Sequence, residues 1–484
     1  MLFNSFQFLV FFPIVTILYF ILPHRWRWLH LLLSSCIFYA AFIPAYLLIL
    51  FATIIIDYIA GIYITRANGK QKRLFLTISI LSNVGILAVF KYYNFFIGNV
   101  NALIDVLGFT THDLPYSSLI LPIGLSFHTF QAMSYTIEVY RGRQKVERHF
   151  GIYALYVMFY PQLVAGPIER PQNMLHQFHE RKYFSYDNLI EGMKLITWGL
   201  FKKVVIADRL SLLVNEVYNN PMEYRGLTFV AATIFFAFQI YCDFSGYSSI
   251  ALGTAKVMGF DLMQNFNMPY LSKSVREFWQ RWHISLSTWF RDYLYIPLGG
   301  NKVGRWRWYY NLFITFLVSG IWHGANWTYV IWGGLHGVYI IIEQSMVAAK
   351  PAISRIFGWV PVGVMGFAKR IWVFSLVCFA WIFFRANSLD DATFVIKSIF
   401  DWSQYDLGQL SLQLVPESKH SVYTIDILLS WWWIFFLIVT EYVLSKFSFQ
   451  QVTRPVRWAI YIAGIIILLA LGVYDNNQFI YFQF

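Results

Sequence analysis

The sequence is short of charge. Only 13% of its 484 residues are Asp, Glu, Lys or Arg, about half the share usual in soluble domains. A soluble core of this size would lack the polar surface to cover it. Cysteine is scarce as well. Cys36, Cys242 and Cys378 stand apart in apolar stretches with no CxxC pair. That pattern excludes a disulfide framework and leaves small buried residues. The run HQFHE brings His176 and His179 together, but no acid completes an HExxH pattern and the flanks read as loop, so no metal site is expected. Neither a GxSxG elbow nor a Walker P-loop occurs.

What the chain does have is apolar and aromatic. Hydrophobic residues make up 58% and aromatics 20%, with 19 Trp and 32 Tyr. The apolar residues fall in long runs, which argues for membrane spans. The aromatic excess suits interfacial belts and a lined interior. The formal net charge is +12, but the Lys and Arg sit in short loops between apolar runs. Membrane topology accounts for that placement, and no nucleic-acid partner is expected.

The first apolar run, Phe6 to Leu22, has no basic residue before it, while His24, Arg25 and Arg27 follow. A signal peptide has the opposite charge order, so a retained span with an extracytoplasmic N-terminus is expected. Further spans are read at Trp28–Ala41, Ala45–Thr65, Leu74–Gly98 and Ser118–Tyr140. Basic clusters follow the third span (Arg66, Lys70, Lys72, Arg73) and the fifth (Arg141, Arg143, Lys145, Arg148). The turn at Phe42–Pro44 and the loop Asn99–Ser117 have no Lys or Arg. The alternation makes the basic loops cytoplasmic. Tyr310–Glu343 is too long for one simple span and reads as a broken helix or two packed pieces. Asp401–His420 reads as a polar extracytoplasmic segment. Spans at Val422–Leu444 and Val456–Val473 close the chain, with the C-terminus outside. The fold class is all-α integral membrane, with about eleven to thirteen transmembrane or re-entrant helices in a single domain over 1–484. Membrane lipids are the first partners.

The segment Met258–Arg307 departs from this pattern by mixing aromatics with Lys273, Arg276, Glu277, Arg281, Arg291 and Asp292. Ser274 and Glu277 have the spacing of a capping box. A helix over Arg276–Trp289 would put Trp279, Trp282 and Leu286 on one side and lie along the cytoplasmic interface. His283 sits in that helix, His323 follows in SGIWHGANW and His336 in WGGLHG. Ionisable groups in apolar surroundings are functional candidates by default, and histidine is the usual general base near neutral pH. Each also fits a neutral histidine bonded to a carbonyl. Around His323 the small residues Ser319, Gly320 and Gly324 permit close approach of a substrate, and Asn326 could donate to a developing oxyanion. Asp243, in YCDFSGYSS, is an acid inside an apolar run that could orient a histidine, bind a substrate hydroxyl or bond nearby backbone. Asp208 is placed to pair with Arg209 or Lys202.

At these residues the chain resembles the membrane-bound O-acyltransferase superfamily, above all its alginate-type O-acetylation branch. The matching stretches are Leu121–Gly142, Phe159–Pro171, Phe238–Gly253, Arg276–Asn301, Val318–Gly337 and Trp381–Ala386, with the strongest match over 121–337. The resemblance implies a ring of helices around a central tunnel, with amphipathic helices on the cytoplasmic side. It maps the family's WHG histidine onto His323 and its second polar position onto His283, as the catalytic pair. Trp279, Arg281, Trp322, Asn326 and Asp243 become candidate substrate contacts. In that reading His323 acts as general base or as transient acyl acceptor, and His283 positions the thioester or polarises its carbonyl. The implied donor is acetyl-CoA, with no tightly bound cofactor. The implied acceptor is an extracytoplasmic polysaccharide such as alginate, reached from the bacterial inner membrane with a periplasmic SGNH-type acetyltransferase as partner. D-alanyl transfer to teichoic acid from a carrier-protein thioester is the sibling alternative. A polysaccharide-precursor transporter would share the spans, but paired acids and inverted repeats are missing.

Overall fold

The computed structural model describes residues 1–108, 114–164, 166–349, 359–405, 420–447, 452–474 and 480. Every regular element among them is helical. Six helices are long and apolar enough to cross a membrane: Tyr46–Arg66, Gly69–Val106, Leu227–Val257, Val362–Arg385, Ile427–Leu444 and Arg454–Leu471. Phe6–Ile21 is apolar but shorter. The remaining expected spans fall on helices that are shorter or carry polar residues, such as Leu125–Tyr140 and Arg305–His323. Arg454–Leu471 buries no residue and leaves Ile462, Ile466 and Leu469 open. An apolar surface of that kind is stable only against lipid or another apolar partner. Most of the polar segment expected at Asp401–His420 lies outside the described residues, as does the end of the chain.

The chain divides into two compact units, one of Met1–Ile196 with Tyr247–Gln264, the other of Thr197–Gly246 with Asn265–Phe484. In the first, Asp57 is buried within the span Tyr46–Arg66. Ser79 Oγ donates to its Oδ1 (2.6 Å), and Asn83 Nδ2 donates to both oxygens (3.0 and 2.8 Å). These bonds satisfy a carboxyl group that hydrocarbon cannot solvate. The fifth expected span begins later than the apolar run suggests. Its helix is Leu125–Tyr140, started by Gly124 at φ 76°. A Cβ there would lie 2.7 Å from the Leu163 carbonyl oxygen, so the position needs glycine on two counts. His176 and His179 are in a helix, Pro171–His179, and not in a loop. The structural reason is Pro171 at its first turn, where the missing N–H costs nothing. His179 Nε2 lies 2.7 Å from Glu147 Oε2, and no group of three or more His, Cys, Asp or Glu among the described residues could hold a metal.

In the second unit the stretch Tyr310–Glu343 falls into two helices, Arg305–His323 and Trp327–Ser345. They cross at glycines. A Cβ on Gly320 would meet the Tyr329 carbonyl oxygen at 2.3 Å, and one on Gly333 the Phe316 carbonyl oxygen at 2.5 Å. This crossing sets the place of His323 at the end of the first helix and of Trp332 and His336 on the second.

Candidate active site

The helix expected over Arg276–Trp289 is two helices, Val275–Arg281 and Ile284–Phe290. Ser274 caps the first by accepting from Glu277 N (3.0 Å), and Glu277 Oε2 accepts in turn from Lys273 N (2.8 Å). The break falls at His283, which adopts the left-handed conformation at φ 42° and ψ 55°. Only Met268 shares a positive φ among the described non-glycine residues. Such a conformation costs about 1–3 kcal/mol and persists when the surroundings dictate it. Here they do. Asn267 N donates to Arg281 O and Ile284 N to Asn265 O, both at 2.9 Å. Asn265 Oδ1 accepts from Ser285 N (3.2 Å) and Ser285 Oγ (2.9 Å), and meets His283 Nδ1 at 3.2 Å.

That last contact fixes the tautomer. A backbone N–H can only donate, so the Asn265 atom facing Ser285 N is oxygen, and His283 Nδ1 must be the donor toward it. Nε2 then carries the lone pair. Burial holds the ring neutral, pushing its pKa well below the ordinary histidine range. Phe244 stands edge-on to the ring at 4.6 Å between centroids.

His323 is buried among Trp322 (4.9 Å), Trp332 (4.9 Å) and Phe384 (5.5 Å). Trp322 also meets His283, at 6.4 Å. One indole therefore touches both candidate histidines, although forty positions separate them in sequence. Gly324 follows His323 in extended conformation, and the next helix begins at Trp327.

The structure gives the other candidates different neighbours. Asn326 caps Trp327–Ser345 by accepting from Thr328 N (3.0 Å), while its Nδ2 donates to Asn387 O (3.2 Å). Its amide is thus engaged at both ends as a helix cap. Trp279 donates from Nε1 to His336 Nδ1 (3.2 Å). Arg281 pairs with Glu277 (2.8 Å) and donates to Asn267 O (3.3 Å). Asp243 meets Lys203 Nζ at 2.7 Å through Oδ1 and accepts from Ile480 N (2.7 Å) through Oδ2. It stands next to Phe244, the residue that touches His283, and its own oxygens are directed to Lys203 and Ile480.

Lys203 also reaches Asp208 (2.8 Å), where Lys202 or Arg209 was expected. Residues Phe201–Ala207 form a π turn, whose i to i+5 hydrogen bonds put positions five apart on one side. Lys202 donates to Ser245 O instead (3.0 Å). Asn265, Phe244, Lys203, Trp332 and Phe384 were not singled out by sequence reasoning. Only the lysine had a signal, the charged pair inside FKKVVIAD.

The profile of the membrane-bound O-acyltransferase family, MBOAT, matches residues 86–384. A protein named "probable alginate O-acetylase AlgI" from Azotobacter vinelandii is 38% identical over 419 residues, covering 85% of this chain and 81% of that one. The peptidoglycan O-acetyltransferase of Helicobacter pylori is 34% identical over 455 residues, covering 85% and 82%. The teichoic acid D-alanyltransferase of Streptococcus thermophilus is 32% identical over 259 residues, covering 49% and 60%.

Proposed function

The chain belongs to the membrane-bound O-acyltransferase family, and on that footing we propose that it carries an acetyl group from cytoplasmic acetyl-CoA across the bacterial inner membrane for O-acetylation of an extracytoplasmic polysaccharide. The observation that carries the reading is the pair of buried histidines sharing Trp322. The names of the long relatives support acetyl over D-alanyl, since the D-alanyltransferases match 49% and 58% of this chain against 85% for the O-acetylating relatives. A periplasmic SGNH-type partner would complete delivery to the polymer, with both termini of this chain on the same side as that partner.

In the proposed chemistry His323 is the general base. It takes the proton of the acceptor hydroxyl as that oxygen attacks the thioester carbon. The thiolate then leaves and recovers the proton. His283 has a narrower role than the sequence suggested. Its Nδ1–H is turned to Asn265, so its Nε2 lone pair accepts a hydrogen bond. It suits orientation of the incoming hydroxyl, or of a donor amide, better than polarisation of a carbonyl. The aromatic walls of Trp322, Trp332 and Phe384 keep water from competing for the acyl group. Lys273 and Arg276, exposed beside the Ser274 cap, provide charge for the anionic donor.

The test is transfer of labelled acetyl from acetyl-CoA by the purified protein in detergent, wild type against His323→Ala. Turnover that disappears in a variant eluting and melting like wild type is expected. Equal turnover in both would remove His323 from the mechanism. A wild type inert with acetyl-CoA but active with a D-alanyl carrier thioester would replace the donor.

A further inference from the structure

His336 has no part in the chemistry above. It is fully buried one helical turn after Trp332, and its Nδ1 accepts from Trp279 Nε1 at 3.2 Å. A neutral imidazole whose Nδ1 lone pair is occupied carries its proton on Nε2. Among the described residues neither that Nε2 nor the indole Nε1 of Trp332 or Trp381 has a hydrogen-bond partner. Each of these three side chains is at most 1% exposed. They are also neighbours. The Trp332 ring lies 5.1 Å from His336 and 5.7 Å from Trp381, on which it stacks. It lies 4.9 Å from His323.

Buried N–H groups without acceptors are rare, and each costs about 1–3 kcal/mol. Three together beside a catalytic base call for an occupant that brings acceptors. N–H donors repel a cation and favour an oxygen that gains negative charge. The reacting acyl carbonyl is such an oxygen. His283 is poorly suited to serve it, because its one proton is turned to Asn265.

We propose that His336 Nε2–H, with Trp332 and Trp381 beside it, forms the subsite that binds the carbonyl oxygen of the transferred acyl group. The inference rests on the acyl-transfer reading and assigns a site within it. As the acceptor oxygen bonds to the acyl carbon, its proton passes to His323 and the carbonyl π pair moves onto the oxygen held by these donors. The pair returns as the carbon–sulfur bond breaks. The sulfur leaves with its electrons and takes the proton back from His323. Neutral donors fixed by packing stabilise the charged oxygen without reorganising.

The test is turnover of labelled acetyl-CoA by the full-length protein in detergent, with kcat and KM measured separately. His336→Phe keeps an aromatic ring and removes the N–H, while His336→Gln restores a donor near the Nε2 position. We expect His336→Phe to lower kcat by about 100-fold or more, with KM little changed, and His336→Gln to recover a large part of it. Trp332→Phe should lower kcat in the same sense by about tenfold, and decides the matter if His336→Phe does not fold. Wild-type kcat in folded His336→Phe, or in Trp332→Phe where that variant decides, overturns the subsite. So does a His336→Gln no better than His336→Phe, because shape and not the N–H would then matter. A wild type inert with every acyl thioester would remove the acyl-transfer reading and the subsite with it, whereas an active wild type with unaffected variants removes the subsite alone.

Discussion

Asn265→Ala should damage both stability and turnover, because one amide oxygen organises the backbone break that carries His283. The substitution removes the acceptor of three hydrogen bonds. Ser285 Oγ can rotate to a nearby carbonyl, but Ser285 N–H and His283 Nδ1–H would be left buried and unsatisfied. Two stranded donors cost about 1–3 kcal/mol each. Part of that is returned, since the Asn265 amide nitrogen itself has no partner among the described residues and leaves with the side chain. A net loss of about 1–4 kcal/mol follows. The left-handed turn at His283 would also lose a main support against strain of about 1–3 kcal/mol. Thermal unfolding in detergent measures the first effect and acetyl transfer the second. Asn265→Asp separates structure from tautomer. It keeps the acceptor and puts a negative charge beside the ring, which raises the histidine pKa against the lowering by burial. The variant should fold and should show an acidic limb of its pH–rate profile moved to higher pH. An Asn265→Ala protein with wild-type melting and wild-type turnover would refute the reasoning, because the break at His283 would then be held by something else.

Two further outcomes follow from the buried charges. Lys203→Met removes the cation shared by the buried carboxylates of Asp208 and Asp243 and should cost about 3–5 kcal/mol; adding Asp208→Asn and Asp243→Asn should recover most of the melting temperature, and a single variant as stable as wild type would show that the three charges are not a unit. Glu169, in the first unit, accepts from Met263 N (2.5 Å), and burial raises its pKa to about 7; a raised carboxyl pKa means the folded protein holds the proton that the unfolded chain releases near 4.5, so its contribution to stability falls as pH rises through about 7. Glu169→Gln should flatten the melting temperature over that window, and an unchanged slope would assign the pH dependence elsewhere.

The six long apolar helices were legible because hydrocarbon imposes length and composition on a helix, and both are written locally. Ser274 was legible for the same reason, since its cap acts on residues three positions away. The division of Tyr310–Glu343 was readable from Gly324 and Asn326, which stop one helix and start another. The break at His283 was not. No glycine or proline marks it, and the left-handed histidine is held by Asn265, eighteen positions earlier. The pairing of Lys203 with Asp208 was not legible, because no local residue marks the π turn that brings positions five apart onto one side. The meeting of His283 and His323 on Trp322 is a tertiary fact. Periodicity could not place two residues forty apart against one indole, and the family resemblance supplied that expectation.

Both histidines stand where a helix is interrupted, and the interruption explains their suitability. Mid-helix side chains share the regular spacing of their neighbours and leave no backbone group to bond. A helix break turns the chain sharply and allows an imidazole to enter the aromatic packing at an angle that a helix forbids. The cost is a set of backbone groups without helical partners, which surroundings of this depth do not forgive. An asparagine answers at each place: Asn265 satisfies Ser285 N behind His283, and Asn326 satisfies Thr328 N beyond His323. An amide suits both tasks because it offers an acceptor and a donor without charge, and a carboxylate there would favour the imidazolium. A neutral support therefore leaves the ring of His283 neutral, as a ring that is to accept a hydrogen bond through Nε2 must be. In the proposed mechanism the asparagines would act through backbone geometry, and Asn265 also through the tautomer of His283.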